Sequence, residues 1–443
     1  MRMATIPHPP YRVPLLGDII GIDRVNPNTA TLAMMERLGP IYRRSIMGTD
    51  LTFVGSASLA EQAFDEASWK RYEGRPIQQL ESLVGDGLFT AVTESDSWQK
   101  SHEALMPAFS KDAMSRYFGV MLETAQSLVE SLKAAPGNRE AQPLFARVAH
   151  EVIGRAGFSY SFGPDMLDNS HAFPAAMARA LQHVQKAAIP LVGKRPGEKA
   201  QYERDRDLLL GTVREVVEGR SAGSASGNDL LDTMLEAGLP QQLIENQLLT
   251  FLIAGQETTA STLAFLAYEL GRRPELVARM REEVAATTDE GPITFENAPR
   301  MRLVRAAISE SLRLYPSAPG IFRVAKEATA LGDYQFSPGE WVFVLLLAVH
   351  RDPEVWGASA AEFAPDRFMP GGASYPAAAY KPFGTGIRSC IGRQFAQLEI
   401  TVVIAEMVRG LDWSVVEPEG ALEFDETLTI RPRGLWLDFA PRA

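Results

Sequence analysis

From Asp352 to Gly386 the chain is rich in Pro, Gly and Asp and follows neither a helical nor a strand period. A compact domain rarely carries so long an irregular segment unless the segment has a job. This one runs into Lys381-Pro-Phe-Gly-Thr-Gly-Ile-Arg-Ser-Cys390-Ile-Gly-Arg393, which holds the one cysteine of the 443 residues. A lone thiol makes no intramolecular disulfide and fits a reducing compartment. Gly384 and Gly386 let the chain turn tightly and approach a flat ligand closely. A helical pattern starts at Arg393, so free N–H groups lie ahead of the thiol, and Arg388 adds a cation; both lower a thiol pKa. A cysteine thiolate can be the axial ligand of haem iron, where it promotes O–O cleavage. The commoner role of a free Cys is a small buried hydrophobe.

Helical patterns dominate around this segment. They cover Ala113–Ala134, Lys199–Glu218, Gln241–Leu270, Pro274–Thr287, Met301–Leu314 and Arg393–Gly410. Short strands are predicted at Asp50–Gly55, Trp341–Val349 and Leu428–Phe439. The fold class expected is mainly α, one domain over 1–443, with a smaller β-rich part within 35–60 and 320–350 plus the C-terminal strands. Ser221–Asp229 reads as a surface loop inside that domain. The net charge of −11 argues against a nucleic-acid binder. No apolar run approaches the roughly 20 residues of a membrane span. Pro7, Pro9, Pro10 and Pro14 break any N-terminal apolar helix. A soluble, cytoplasmic monomer without a membrane anchor is expected.

Four weaker patterns bear on Cys390. In Phe251-Leu-Ile-Ala-Gly-Gln-Glu-Thr-Thr259, a glycine costs about 1 kcal/mol in mid-helix, and Glu257 is a charge in an apolar run. Ala254 and Gly255 leave room for a flat group, and Thr258 can bond back to the Ala254 carbonyl. Glu257 on a solvated face with Thr258 as packing is an equally good reading of that segment alone. Glu310 and Arg313 share a helix face and can pair. With Arg367 of Pro365-Asp-Arg-Phe368 they could form a buried ionic cluster. Trp98 and His102 lie one helical turn apart, and with Arg323 and Arg388 they are suitable donors for carboxylates.

The string Phe383-Gly-Thr-Gly-Ile-Arg388-Ser-Cys390-Ile-Gly392 resembles the haem-binding loop of the cytochrome P-450 family. Ala254-Gly-Gln-Glu257-Thr258-Thr259 resembles its oxygen-activating helix. Glu310-x-x-Arg313 and Pro365-x-Arg367-Phe368 resemble its ion-pair network. The order and separations match along the whole chain. Gly85-Asp-Gly-Leu-Phe89-Thr90 with Trp98 and His102 is most similar to the haem domain of self-sufficient bacterial fatty-acid hydroxylases. The resemblance implies the family's triangular prism, and haem b with Cys390 on the iron and Phe383 near the sulfur. Gly384, Gly392 and Ala254 would lie against the cofactor. Trp98, His102, Arg388 and Arg323 would contact its propionates. Thr258 and Glu257 would deliver protons during O2 activation. Phe89, Leu88, Ala254, Ala318 and Ile321 would line the substrate pocket, drawn from Leu80–Phe89, Ala175–Pro190 and Ser317–Phe322.

Two departures qualify this. Those hydroxylases hold the substrate carboxylate with an Arg and a Tyr, and Thr49 and Phe53 stand at the matching places; Arg43 or Arg44 could substitute. A neutral terpene, polyketide or acyl compound is as good a substrate as a fatty acid. With no flavin or iron–sulfur sequence after Ala443, electrons from NAD(P)H are expected through a ferredoxin or flavodoxin with its reductase. Lys381, Arg388, Arg393 and Lys100 would form the basic docking face. A peroxide-using fatty-acid peroxygenase and a non-catalytic haem sensor are the alternatives, and neither would need Glu257 with Thr258. A nucleotide-binding loop fails because Ser389 stands where the third glycine belongs. A serine acylase built on Ser97 and Lys100 lacks its companion motifs. Six scattered histidines and one cysteine do not make a zinc site.

Overall fold

The computed structural model describes residues 5–168, 170–188, 197–221, 223, 227–416, 422–426 and 428–442. Much of the expected Ser221–Asp229 loop, and the last two residues of the Ala175–Pro190 segment, lie outside the described residues. Two compact units share the chain. One combines Met1–Gly74, Ser309–Cys390 and Phe424–Arg431; the other combines Arg75–Ile308, Ile391–Glu423 and Pro432–Ala443.

The first unit is built on a five-stranded sheet. Its strands lie in the order Ile41–Ile46, Thr49–Val54, Trp341–Leu345, Gly320–Ala325, Trp69–Arg71. The first two form a hairpin with Ile46 opposite Thr49. Met47 and Gly48 between them both have positive φ, as a two-residue turn that matches strand twist requires. Thr49–Val54 pairs in parallel with Trp341–Leu345, which is buried from Val342 onward, as a central strand covered on both faces should be. The sequence reading carried this strand to Val349. The chain instead makes a helical turn over Leu346–Val349. A short unbroken apolar run does not by itself distinguish the two. Trp69, fully buried, meets Phe336 edge-on at a ring separation of 5.4 Å and anchors the core with Val54, Ala60 and Val344.

The irregular segment after Asp352 contains only short pieces, Pro353–Trp356, Pro365–Phe368, Ala377–Ala379 and Gly386–Arg388. It is ordered by side chains rather than by backbone ladders. Arg313 contributes to that ordering. Its Nη1 donates to the carbonyls of His350 and Ala360 at 2.9 and 2.6 Å, and its Nη2 to that of Glu362 at 3.0 Å.

The second unit is helical. Lys111–Ala134, Ala141–Phe158, Gln241–Gly271 and Arg393–Gly410 pack on one another. Ser110 caps the first of these by accepting from the Ala113 N–H. Gln241–Gly271 is buried nearly all round, so its sequence shows a continuous apolar run rather than a stripe. The C-terminal strand expected at Leu428–Phe439 is two strands, Ile430–Arg433 and Trp436–Pro441, parted at Gly434 with φ 63°. The later one pairs with Gly137–Glu140 and Leu411–Val416 in a three-stranded sheet. Among the described residues no helix is long and apolar enough to cross a membrane.

Candidate functional site

Cys390 is exposed and makes no disulfide. Its backbone N–H donates to the Phe383 carbonyl at 2.8 Å, closing the loop on itself. Gly384 (φ 74°) and Gly386 (φ 66°) sit in the left-handed region that the sequence reading reserved for glycine. A Cβ at Gly384 would make ordinary contacts, with Ser389 Cα at 3.8 Å and Ile321 Cδ1 at 4.0 Å, so it is the positive φ rather than crowding that calls for glycine there. At Gly386 it would collide with the Glu66 carboxylate. Phe383 and Arg388 are half-buried in the same loop, Ala318 is exposed, and Gly392 is the N-cap of Arg393–Gly410.

The ionic cluster behind this loop is assembled as expected. Glu310 and Arg313 are fully buried and form a two-armed pair at 2.7 and 2.8 Å. Arg367 reaches Glu310 Oε1 at 3.3 Å and holds Ser359 through Nη2. The Ala364 N–H also donates to Glu310 at 2.8 Å. A carboxylate with this many donors is the kind of buried charge that a fold can hold.

Arg323 is also a structural residue of the sheet. It is almost fully buried, and its Nε and Nη2 donate to the Ala63 and Trp69 carbonyls at 2.9 Å each. Those bonds fasten one edge of the sheet and use two of the five guanidinium N–H groups, leaving both on Nη1 and one on Nη2. Arg71, which sequence reasoning missed, lies opposite Arg323 in the strand pairing. Burial pulls both guanidinium groups below the usual arginine value.

In the second unit the long helix from Gln241 to Gly271 supplies the other residues. Between Leu243 and Leu270 it is buried except at Ala254, Gly255, Thr258 and Tyr268. Ala254 is exposed in mid-helix. The Thr258 hydroxyl donates to its carbonyl at 2.8 Å, as the sequence suggested. Gly255 serves a different purpose from the one expected. A Cβ there would press on Ile153 at 3.3 Å, so this glycine lets two helices approach. Glu257 is buried, which removes the reading of a solvated face. Trp98 is buried, and its indole stacks on the His102 ring at 4.6 Å and 21°. Ser95 caps their helix through the Trp98 N–H. Phe89 is 38% exposed beside half-buried Leu88.

Each unit by itself offers groups whose chemistry suits haem: the first an exposed thiol on a glycine-turned loop, the second a bare strip on a buried helix and, on another helix, an indole and an imidazole that can serve carboxylates. No cluster of three or more His, Cys, Asp or Glu that could hold a bare metal ion exists among the described residues.

Neither arginine on the first hairpin is an open carboxylate anchor. Arg43 donates to Thr52 Oγ1 at 2.9 Å and pairs with Glu340 and Asp50 at 3.1 and 3.6 Å. Arg44 is buried and donates to the Asp18 carbonyl. Phe53 stacks on Tyr42 at 5.0 Å.

The family model described as cytochrome P450 matches residues 7–438. The bifunctional cytochrome P450/NADPH–P450 reductase 2 of Bacillus subtilis is 34% identical, over 100% of this chain and 43% of its own length. The self-sufficient cytochrome P450 monooxygenase CYP505E3 of Phanerodontia chrysosporium is 32% identical, over 99% of this chain and 43% of its own length. The chain thus spans less than half the length of these curated relatives. A crystal structure of a cytochrome P450 (CYP102L1) superposes with a TM-score of 0.89 at 33% identity, covering 99% of both chains. The chain belongs to the cytochrome P450 family.

Proposed function

We propose that this chain is a haem-thiolate monooxygenase acting on a neutral, hydrophobic small molecule. The observation that carries the reading is the Cys390 loop: an exposed thiol, closed by the Cys390–Phe383 bond and turned by two left-handed glycines. Haem b, held by Cys390 with Trp98, His102 and Arg388 at its carboxylates, supplies the activation of O2 that puts one oxygen atom into a C–H bond. Phe383, Gly384, Gly392 and Ala254 lie against it in this reading. The protein's part is positioning and proton control. Thr258 Oγ1 holds a proton on the Ala254 carbonyl at 2.8 Å and can turn it outward, because its face of the helix is uncovered. Glu257, the buried residue just before it in the helix, resupplies that proton. Leu88, Phe89, Ala318 and Ile321 present apolar surface to the substrate.

Two further points belong to the proposal. The engaged state of Arg43 and Arg44 supports a neutral substrate, such as a terpene, a polyketide or an esterified acyl chain, over a free fatty acid. The Bacillus subtilis relative is a bifunctional cytochrome P450/NADPH–P450 reductase, and electrons here come from an NADPH-linked reductase, directly or through a ferredoxin or flavodoxin.

The test is spectroscopic first. Reduced protein under CO should show the red-shifted absorption of a thiolate-ligated haem, and Cys390→Ser should abolish it while haem still binds. With NADPH and a reductase, wild type should hydroxylate substrate. Thr258→Ala should divert most electrons to hydrogen peroxide, and Thr258→Ser should restore coupling. Full coupling in Thr258→Ala removes the proton-delivery role.

A further inference from the structure

The loop that carries Phe89 is fastened to the long helix by a buried amide. Gln247 is fully buried. Its Oε1 accepts from the Leu88 backbone N–H at 2.9 Å, and its Nε2 donates to Ser101 Oγ at 3.0 Å. One side chain therefore joins the Gly85–Thr90 turn to the helix of Trp98 and His102. Neighbouring contacts reinforce it. Asn246 Nδ2 donates to Asp86 Oδ1 at 2.8 Å. Gly85 has φ 58°, and a side chain on it would collide with Asn246. A side chain on Gly87 would collide with the Thr250 hydroxyl. Thr90 closes the turn by donating to the Gly85 carbonyl at 2.6 Å. The G-D-G spacing is thus a docking surface for the helix, and its two glycines are there because the helix comes so close.

Gln247, Ala254 and Thr258 are seven and eleven residues apart, so they share one face of the helix. That face is covered at Gln247 and bare at Ala254 and Thr258. The distance from Gln247 to Ala254 along the axis is about 10 Å at 1.5 Å per residue. One residue of chain and a phenyl ring cover much of that distance, and Phe89 follows directly on the pinned Leu88 amide. How far the ring reaches toward the bare strip therefore depends on where Gln247 holds the turn.

We propose that Gln247 is a positioning residue that fixes Phe89 through the Leu88 amide and so determines which carbon of the substrate is oxidised. The regiochemical part rests on the monooxygenase reading above; the clamp itself does not. The experiment uses the haem-loaded protein with methyl dodecanoate as a neutral probe. In Gln247→Leu, which removes both bonds at similar size, hydrogen exchange at the Leu88 amide should rise about tenfold, the scale of one lost hydrogen bond. The positional distribution of hydroxylated products should shift in the same variant. In a Phe89→Ala background Gln247→Leu should shift it no further, because the two act in series. Gln247→Glu should restore the distribution, since its carboxylate accepts from both the Leu88 N–H and the Ser101 hydroxyl. Unchanged Leu88 exchange in Gln247→Leu overturns the clamp. Faster exchange with an unchanged distribution, or a full shift that persists without Phe89, overturns the positioning role. A chain that shows no thiolate-haem spectrum overturns the functional reading instead, and the exchange result still decides the clamp.

Discussion

Lys381 donates its backbone N–H to Nε2 of His350 at 3.0 Å. His350 is fully buried, and its own carbonyl accepts from Arg313. The Glu310–Arg313 pair and the start of the cysteine loop are therefore joined through one neutral ring, which must carry its proton on Nδ1. The Tyr380 ring covers it at 5.5 Å. Burial, with Arg351 and Arg313 nearby, pushes its pKa down to about 3 from 6.5. His150, buried in the other unit, is pushed down to about 3 mainly by the same cause.

A folded pKa below the unfolded one means that the folded state resists protonation. The stability these rings contribute is complete above pH 6.5 and is lost as pH falls from 6.5 toward 3. At pH 5 each should have given up about 2 kcal/mol, at 1.36 kcal/mol per unit. Urea unfolding of wild type and His350→Asn at pH 7 and pH 5 checks this. The variant should be less stable at pH 7 but lose less on acidification. Equal losses in the two proteins would show that His350 is not a source of the acid sensitivity.

Arg313 should not tolerate lysine. It makes five short bonds to Glu310, His350, Ala360 and Glu362 from a planar fork. An ammonium offers three donors from one point. Arg313→Lys should therefore destabilise by about 3 kcal/mol or more, close to the cost of breaking a buried pair outright. Chemical denaturation measures it, and a cost under about 1 kcal/mol, the range of an exposed pair, would mean that the cluster contributes as a surface bridge does.

The sequence was most legible where backbone chemistry and motif coincide. Gly384 and Gly386 were assigned to tight turns, and both have positive φ. Glu310, Arg313 and Arg367 were read as one cluster, and they are. The sheet-edge bonds of Arg323 were not legible, because an arginine within a strand pattern shows nothing of its partners, which here are backbone carbonyls far away in sequence. Gly255 was attributed to a ligand because a mid-helix glycine looks the same whether it faces a cofactor or a helix. The clamp on Phe89 was missed, although Asn246 and Gln247 are adjacent amides in an otherwise apolar helix. Such amides at buried positions need partners, and Gly85-Asp-Gly87 was the visible half of that partnership.

Substrate charge is testable at Thr49. It is exposed at the turn end of the hairpin, on the same strand as Phe53 and opposite Ile46. Methyl dodecanoate should shift the haem iron to high spin at lower concentration than dodecanoate. Thr49→Arg adds a cation without touching the existing pairs and should narrow or reverse that gap, with the acid's gain falling as salt rises. Tighter binding of the free acid by the unaltered protein would mean that another cation serves as the anchor.

Glu399 should behave in the opposite sense to the two histidines. It lies on Arg393–Gly410, fully buried, with Oε1 unpartnered, and burial raises its pKa well above 4.5. A carboxyl whose folded pKa is raised contributes most below its unfolded value, and that contribution is lost as pH rises from 4.5 toward the folded pKa. Glu399→Gln keeps the shape and removes the titration. The glutamine variant should therefore gain on wild type steadily between pH 5 and pH 8, and match or exceed its stability at the upper end. Thermal unfolding across that range checks the sign. A variant that loses ground as pH rises would mean that Glu399 is charged in the folded protein and held there by a cation.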